Sequence, residues 1–358
     1  MAELDIGQAA TPTEIADYKI SSESTDGINA EGETFWDNPN WTEFYGKYLS
    51  TTKLKAKIKA YATWIVGLGY TTDTRTQVIL DNIKGSGEDT TLSIFWNMIV
   101  IKKINGDAYA EIIRNKETGT LINLKPLAPD TVRVVFGTNG IIKRYEQRST
   151  VKGGKNTIIP IENMFHLVND RIADETHGDS VIDSLIWNIE SQEEARRMFR
   201  RKVKNSGIMG ILKMDTEDQV KIEGLKPVLK KGMEEGIFLM VPDDVIDVQD
   251  WGMKLDTQGI VQWLNYLADE EDQIIGIPKI ITGGSGEIEG DSKIAYLTFE
   301  PKYKREIKEF EDDLWNQLAV KIKINLPPSL KEELQSNEQA NTSQTGFQPN
   351  DTTAGVGA

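Results

Sequence analysis

The spacing of hydrophobic residues predicts helices at two places near the start of the chain. Aromatic and aliphatic side chains recur at helical spacing between residues 40 and 66. The run DTTLSIFWNMIVIKKING then predicts a mostly apolar helix that begins near Thr90 or Thr91 and ends at Gly106.

The next stretch, INGDAYAEIIRNKETGTLINLKPLAPDTVRVV, predicts a β-hairpin. It alternates between apolar and polar residues, turns at residues 117–119 and alternates again. A second hairpin follows across FGTNG, and NTIIPIENMFHLVN predicts an edge strand. Residues 35–180 are therefore predicted to be an α+β region with antiparallel strands.

The second half of the chain has a different order of elements. Residues 178–207 predict one long helix, and the strand IMGILKMD, a helical stretch around Pro227 and the strand GIFLMVPDDVIDV follow it. A second long helix spans about 257–275. The Gly-rich loop TGGSGEIEGDSK then leads to a last helix over about 293–320, with Pro301 as a candidate break point. The order indicates a small α/β insert between two long helices.

The amino-acid composition limits the kinds of catalytic or metal site that the chain can contain. The chain has 358 residues, no cysteine and two histidines, His166 and His177. This content excludes disulfides and a thiolate nucleophile, and it disfavours a His-rich catalytic or metal centre. His166 is predicted to pack in the core or at an interface, and His177 to lie in a loop before the long helix. Two histidines so spaced do not make a metal site.

Charge is concentrated at the beginning of the chain. The net charge is −15, and residues 1–43 hold ten acids and one lysine, a net charge of −9. The rest is mildly acidic, which argues against a protein that holds nucleic acid by neutralising phosphates. The composition predicts a mobile acidic arm over 1–34 and a disordered tail over 331–358. Neither a secretory signal nor a membrane-spanning apolar run is seen, so a soluble protein is expected.

Four phrases, taken in order, resemble the portal protein of tailed viruses, the head-to-tail connector. They are NGDAYAEIIRN…G…LINLKPLAPDTVRV, MFHLVNDRIADETHGDSVIDS, KNSGIMGILKMD and IIGIPKIITG. The resemblance covers roughly residues 95–300, and the order and spacing of the phrases carry it.

The resemblance implies an α+β, portal-type subunit with long antiparallel stem helices, a small α/β clip and little or no crown. The implied regions are a disordered arm (1–34), a wing (35–180), a first stem helix (181–206), a clip (207–256), a second stem helix (257–281), a tunnel loop (282–292), a helix returning to the wing (293–330) and a disordered tail (331–358).

The resemblance also implies a structural function without a cofactor or enzymatic activity. Such subunits would form a homo-oligomeric ring, expected to have twelve copies, at one vertex of a capsid. Double-stranded DNA would pass through the ring during packaging and ejection. The expected partners are other copies of the chain, the major capsid protein, the large subunit of the terminase motor and neck or adaptor proteins. The protein would be made in the host cytoplasm and would reside in the virion.

Contacts between subunits are expected on the stem. The first long helix carries like charges at i,i+4 spacing, which repel unless counter-charges are near. In an antiparallel hairpin of one subunit, the acidic run of the second helix would lie nearer residues 187–190 than Arg200, so pairing would cross between subunits. DNA phosphates and a solvated face are the alternatives. The candidate residues are Arg196, Arg197, Arg200, Arg201, Asp269, Glu270, Glu271 and Asp272.

Two further surfaces are expected from the resemblance. The Gly-rich loop lacks the residue order of a phosphate-binding loop, and its acids would repel phosphate, so it is predicted to line the DNA channel. Its residues are Gly283, Gly284, Gly286, Glu287, Glu289, Gly290, Asp291 and Lys293. Lys230 and Lys231 are predicted to bind partner proteins on the clip.

Two other functions stay open on the sequence alone. Another ring component of the virion, such as an adaptor, is disfavoured because adaptors are usually much shorter and mainly helical. A hydrolase would use adjacent carboxylates such as Asp243/Asp244 or Asp312/Asp313, although such pairs on a surface are usually solvated.

Overall fold

The computed structural model describes residues 27–28, 33–137, 140–149, 154–173, 175–205, 210–214, 223–224, 227, 246–250, 257–282 and 289–327. The chain divides into two compact units. The smaller comprises residues 186–271, and the larger comprises the residues on either side of it. No helix in these described stretches is long and apolar enough to cross a membrane.

The helices follow the predicted order. They are α1 (Trp41–Ser50), α2 (Thr52–Val66), α3 (Thr74–Asp81), α4 (Thr91–Asn105), α5 (Val181–Asn205), α6 (Thr257–Ile275) and α7 (Glu289–Asp313). The helical spacing over 40–66 corresponds to two helices, because Thr51 between them has extended backbone (φ −96°, ψ 97°).

The apolar helix α4 has the predicted ends. The side chain of Thr90 accepts a hydrogen bond from the backbone N–H of Ser93 at 3.2 Å, and the Ser93 hydroxyl accepts one from the Thr90 N–H at 2.9 Å. This reciprocal pair is a capping box. At the other end, Gly106 has φ +88°, a conformation that costs glycine little.

The strands lie in separate antiparallel sheets. They are β1 (Gly27–Ile28), β2 (Thr34–Trp36), β3 (Tyr70–Thr71), β4 (Asp107–Arg114), β5 (Leu121–Leu127), β6 (Val132–Phe136), β7 (Ile142–Gln147), β8 (Thr157–Ile159), β9 (Met164–Val168), β10 (Gly210–Met214), β11 (Ile246–Asp250) and β12 (Lys323–Ile324). One sheet has the order β1-β2-β6-β7-β8, another the order β5-β4-β9, and β12 pairs with β3. In the smaller unit β10 pairs with β11.

Both predicted hairpins are present, β4–β5 and β6–β7. The first turns at Gly119, which has φ +66° and whose N–H donates to the Asn115 carbonyl at 2.8 Å. The predicted α+β class with antiparallel strands is therefore confirmed.

The predicted single edge strand is wrong. The phrase NTIIPIENMFHLVN forms two strands, β8 and β9, which belong to different sheets. Pro160 follows β8 directly and has no N–H to donate to a ladder, and a 3₁₀ turn at Ile161–Asn163 then redirects the chain.

The predicted break at Pro301 does not occur, because α7 continues through it. Proline removes one hydrogen bond from the helix, but the neighbouring turns are fixed by aromatic packing. The ring of Phe299 lies 6.2 Å from that of Tyr61, and the ring of Tyr303 lies 5.6 Å from that of Trp64, both on α2. Phe299 and Tyr303 are buried, so packing outweighs the local preference of proline.

Candidate functional site

The long helix α5 begins at a serine that joins it to the end of α4. The hydroxyl oxygen of Ser180 accepts hydrogen bonds from the N–H groups of Ile182 (3.1 Å) and Asp183 (3.2 Å), which is an N-cap. The same hydroxyl donates to the carbonyl oxygen of Ile104 at 2.5 Å. One buried side chain therefore fixes where α5 starts relative to α4.

Two glycines allow close contact between the backbone at the end of α4 and the backbone that precedes α5; we call this contact the joint. A β-carbon on Gly178 would lie 2.4 Å from the Gly106 carbonyl oxygen and 2.5 Å from that of Asn169. The Asn169 N–H donates to Gly106 (2.7 Å), and the Asp179 N–H donates to Asn169 (2.8 Å). Side chains at these glycines would separate the segments, so the contact requires glycine.

Both histidines of the chain bind one buried carboxylate beside this joint. Asp107, the first residue of β4, is fully buried. Its Oδ1 lies 3.0 Å from His166 Nε2, and its Oδ2 lies 2.6 Å from His177 Nδ1. The Gly178 N–H also donates to Oδ1, at 3.3 Å. The carboxylate thus joins β9 and the loop before α5 to β4.

Electrostatics favours the ionised form of this carboxylate. Burial by itself raises the pKa of Asp107, but the hydrogen bonds and charges of His166 and His177 outweigh burial and hold the pKa below its usual range. The other nitrogen of His177 lies 3.0 Å from the Asp37 carbonyl oxygen. Both nitrogens of His177 therefore lie within hydrogen-bond distance of oxygen atoms, so the ring is held at both ends.

A second buried charge cluster ties α7 to α4. The Glu306 carboxylate accepts hydrogen bonds from Lys102 Nζ (2.9 Å), Lys103 Nζ (3.2 Å) and the Tyr61 hydroxyl (3.2 Å). Lys103 Nζ also donates to Asn169 Oδ1 at 2.8 Å. Burial raises the pKa of Glu306, but the two lysines outweigh it and lower the pKa to about 2. The cluster fixes α7 by charge as well as by aromatic packing.

In the smaller unit, α5 and α6 meet through polar side chains. Asn188 donates to the Leu267 carbonyl and to Glu270 Oε2, both at 2.9 Å. Gln192 Nε2 donates to Glu271 Oε2 at 3.0 Å, and Glu271 is fully buried. Buried polar groups of this kind fix one register between two helices, because any shift leaves them without partners.

The same two helices expose large apolar side chains. Trp187, Trp263 and Tyr266 are 60%, 43% and 57% exposed. The Trp187 and Trp263 rings meet edge to face at 6.4 Å, and Trp263 stacks on Tyr266 at 5.6 Å. Met198, which is 52% exposed, lies further along α5. Exposed aromatic clusters of this kind mark interaction surfaces.

The sequence model of one protein family, described as phage portal protein, matches residues 82–347. The chain belongs to this phage portal family. A search among curated proteins found no relative of the portal chain.

Solved structures share the fold of this portal chain at low identity. A chain from the neck of a native gene transfer agent particle, computed with C12 symmetry, has a TM-score of 0.64 at 16% identity, covering 88% of this chain and 92% of that one. A chain from the virion of the native gene transfer agent particle has a TM-score of 0.63 at 16% identity, covering 90% of this chain and 94% of that one. An HK97-family phage portal protein from Corynebacterium diphtheriae has a TM-score of 0.53 at 14% identity, covering 78% of this chain and 95% of that one.

The residues predicted to make stem contacts lie on α5 and α6 of the portal chain. Arg196, Arg197, Arg200 and Arg201 are exposed on α5. Arg196 donates to Gln192 Oε1 at 3.1 Å, and Arg197 approaches Glu193 at 3.4 Å. Among the predicted acids on α6, Asp269 is half-buried, Glu270 and Glu271 bind α5 as described, and Asp272 forms an ion pair with Lys57 at 2.7 Å. Glu270, Glu271 and Asp272 therefore contact residues of their own chain.

The predicted channel and clip residues lie largely outside the described part of the portal chain. Gly283, Gly284, Gly286 and Glu287 are outside it, as are Lys230 and Lys231. Helix α7 starts at Glu289, earlier than predicted, so Glu289, Gly290, Asp291 and Lys293 are helical.

The carboxylate pairs considered for a hydrolase do not form a facing pair where they are described. Asp243 and Asp244 lie outside the described residues. Asp312 and Asp313 are consecutive on α7, so their side chains point about 100° apart. Burial raises the pKa of Asp313. Within the described ranges, no group of three or more His, Cys, Asp and Glu side chains is arranged to hold a metal ion.

Sequence reasoning placed both histidines correctly but missed what they bind. His166 packs in the core, with its ring 4.5 Å from that of Tyr109, and His177 lies in the loop before α5. The predicted strand contains Asp107, but no local pattern gave this residue a role. The available signal was that the portal-like phrases contain both histidines of the chain.

Proposed function

We propose that copies of this chain form a closed, twelve-subunit ring at one vertex of a viral capsid. The ring is the channel through which double-stranded DNA is packaged and later ejected, and it has a structural role rather than a catalytic one. Family membership supports a portal or neck component, and the similar neck of the gene transfer agent particle was computed with C12 symmetry. The alternative role of a separate adaptor has no observation in its favour.

The exposed aromatic cluster of α5 and α6 is the main observation that supports assembly into a ring. Burying Trp187, Trp263 and Tyr266 against a neighbouring copy would remove a large apolar area from water. The buried Gln192–Glu271 contact supports this role, because it holds the cluster on a fixed helix pair.

Native mass spectrometry of the purified chain tests the ring. The wild type is expected as a closed oligomer of twelve copies, and the Trp187→Ser/Trp263→Ser variant as monomers or small oligomers. Trp315→Ser is the matched control, since Trp315 is 57% exposed in the larger unit and should leave rings intact. A monomeric wild type at micromolar concentration would refute the proposal, and so would equal loss of rings in the control.

The exposed arginines of α5 are proposed to bind acids of the neighbouring subunit. Arg200 and Arg201 lie beyond the residues that contact Glu270 and Glu271 within the chain. Replacing Arg200 and Arg201 with Glu is expected to weaken rings at low salt. If rings form equally well at all salt concentrations, the arginines are only a solvated face.

The segment 282–292, which includes the first turn of α7, is proposed to line the channel, and its acids to keep DNA mobile by repelling phosphate. The Glu287→Lys/Glu289→Lys variant should form rings but package or eject DNA more slowly, more so at low salt, where screening is weaker. Normal packaging by the variant at low ionic strength would contradict this role.

The insert at 207–256 is proposed as the docking surface for the terminase motor and then for the neck proteins. The Lys230→Glu/Lys231→Glu variant should form rings that bind the motor or neck weakly. If binding persists while rings fail, the insert serves assembly alone.

A further inference from the structure

A strip of aromatic and basic side chains crosses α1, α2 and α4 in the larger unit. On α1, Trp41 stacks on Tyr45 at 5.2 Å, and Tyr45 stacks on Tyr48 at 6.1 Å. Lys55 Nζ on α2 lies 5.9 Å from the centre of the Tyr48 ring. Lys59 Nζ lies 5.9 Å from the Trp96 ring on α4. We call these side chains the lysine–aromatic strip.

The strip is positively charged and has apolar surface beside the charge. Helix α2 contains four lysines and no acid, although the chain as a whole has a net charge of −15. Lys57 is buried and pairs with Asp272, whereas Lys55 and Lys59 make no ion pair within the described residues. They are four residues apart, so their like charges face the same side. Tyr45 and Leu49 nearby are 41% and 47% exposed.

A partner that suits this surface carries carboxylates with apolar side chains between them. Duplex DNA offers phosphates but no apolar side chains at its backbone, so it would leave Tyr45 and Leu49 uncovered. Residues 1–26 have the required chemistry, with six acids and one lysine. Several acids adjoin apolar residues, in Glu-Leu-Asp-Ile (3–6), Glu-Ile (14–15) and Asp-Tyr (17–18).

The acidic segment is attached close enough to reach the strip of its own chain. The described chain begins at Gly27, which pairs with Phe35 at the edge of the larger sheet. Phe35 precedes α1 by few residues, so Gly27 lies within about 50 Å of Tyr48 at most. Twenty-six residues span up to about 90 Å when extended. Attachment also raises the local concentration of the segment.

We propose that the acidic segment of residues 1–26 binds the lysine–aromatic strip of its own chain through Lys55 and Lys59. Bound in this way, it covers these two lysines of α2 and shields them from DNA phosphates. The inference concerns each single chain and stands whether or not the ring forms.

Carbodiimide cross-linking of the full chain tests the contact, because the reagent joins a lysine amine directly to a touching carboxylate. Peptide mass spectrometry is expected to find Lys55 and Lys59 coupled to acids between residues 3 and 26, several-fold less at 0.5 M than at 0.05 M NaCl. Lys116, exposed in the β4–β5 turn, is the reference lysine and should couple to this segment at least fivefold less. The Lys55→Arg/Lys59→Arg variant keeps the charge but cannot couple, so its cross-links should vanish while its thermal unfolding is unchanged.

Three outcomes would overturn the proposal. Equal coupling at Lys116 would show random collision. In an equimolar mixture of ¹⁴N- and ¹⁵N-labelled protein, coupling within one chain gives no hybrid cross-links, whereas hybrids approaching half of the total would show that a neighbouring copy supplies the segment. Protection of Lys55 and Lys59 from acetylation by duplex DNA, without any coupling to residues 1–26, would identify the strip as a DNA-binding surface.

Discussion

Replacing Gly178 with alanine is expected to weaken the joint between the end of α4 and the start of α5. The added carbon would lie 2.4 Å and 2.5 Å from the carbonyl oxygens of Gly106 and Asn169 and 2.6 Å from the Asn169 nitrogen. All three are backbone atoms, so no side chain can rotate away. The segments must separate by about 1 Å to restore ordinary contacts of about 3.5 Å.

The magnitude follows from the hydrogen bonds that such a shift breaks. The two backbone bonds in the joint, of 2.7 Å and 2.8 Å, would lengthen beyond useful range. Each leaves buried groups unsatisfied at a cost of about 1–3 kcal/mol. The expected loss is therefore about 2–6 kcal/mol, or roughly 4–12 °C in melting temperature for a unit of this size.

Gly46→Ala is the matched control for this substitution. A β-carbon on Gly46 has nothing within 4 Å, and the residue lies inside α1. Alanine there should stabilise the helix by about 0.5–1 kcal/mol. Thermal unfolding compares the two variants, and hydrogen exchange should show faster opening at Val181–Leu185 in Gly178→Ala only. The steric reasoning is refuted if Gly178→Ala melts with the wild type, or if both variants lose stability alike.

The remaining predictions concern single side chains of the two buried clusters and the β9 edge. Glu306→Gln should cost about 3–5 kcal/mol near neutral pH. The pKa of Glu306 falls from 4.5 to about 2 on folding, so its contribution is complete above pH 4.5 and lost towards pH 2, where urea unfolding of variant and wild type should converge. Glu309→Gln is the control and should cost far less near neutral pH, because Glu309 is more exposed. Ser180→Ala should lower the free energy of unfolding in urea by about 1–3 kcal/mol, because it removes the N-cap of α5 and the hydrogen bond to Ile104 on α4. The exposed Ser184→Ala is the control, and an equal loss of stability in both variants would contradict the cap. Gln317→Ala removes a side-chain amide that bonds the N–H (2.8 Å) and the C=O (2.9 Å) of His166. The backbone amides of β9 should therefore exchange hydrogen faster in this variant than in Asn316→Ala. Equal exchange in the two variants would show that β9 is stable without the Gln317 side chain.

The sequence by itself determined the order and type of the main elements, because these depend on local spacing. Helix α4 is buried on most sides, so its sequence is almost continuously apolar. Thr90, the N-cap, and Gly106, which takes a positive φ, mark the two ends of the helix. The turn at Gly119 requires a positive φ, and a glycine between two alternating segments therefore predicted a hairpin from the sequence. The phrases around these elements were also enough to indicate the portal family.

The tertiary structure decided which of these elements touch. Asp107 binds His166 and His177 across 59 and 70 positions of sequence, and Glu306 binds Lys103 across 203. No local pattern encodes such pairs, since a buried carboxylate in a strand looks like any polar residue until its partners are known. Pro301 inside α7 shows the same principle, because long-range aromatic packing overrode a local helix-breaking preference. Local propensities of ordinary residues amount to fractions of a kcal/mol each, whereas buried charges and packed rings contribute several kcal/mol. Where local propensity and long-range packing conflict, the chain therefore adopts the backbone that packing and charge pairing require.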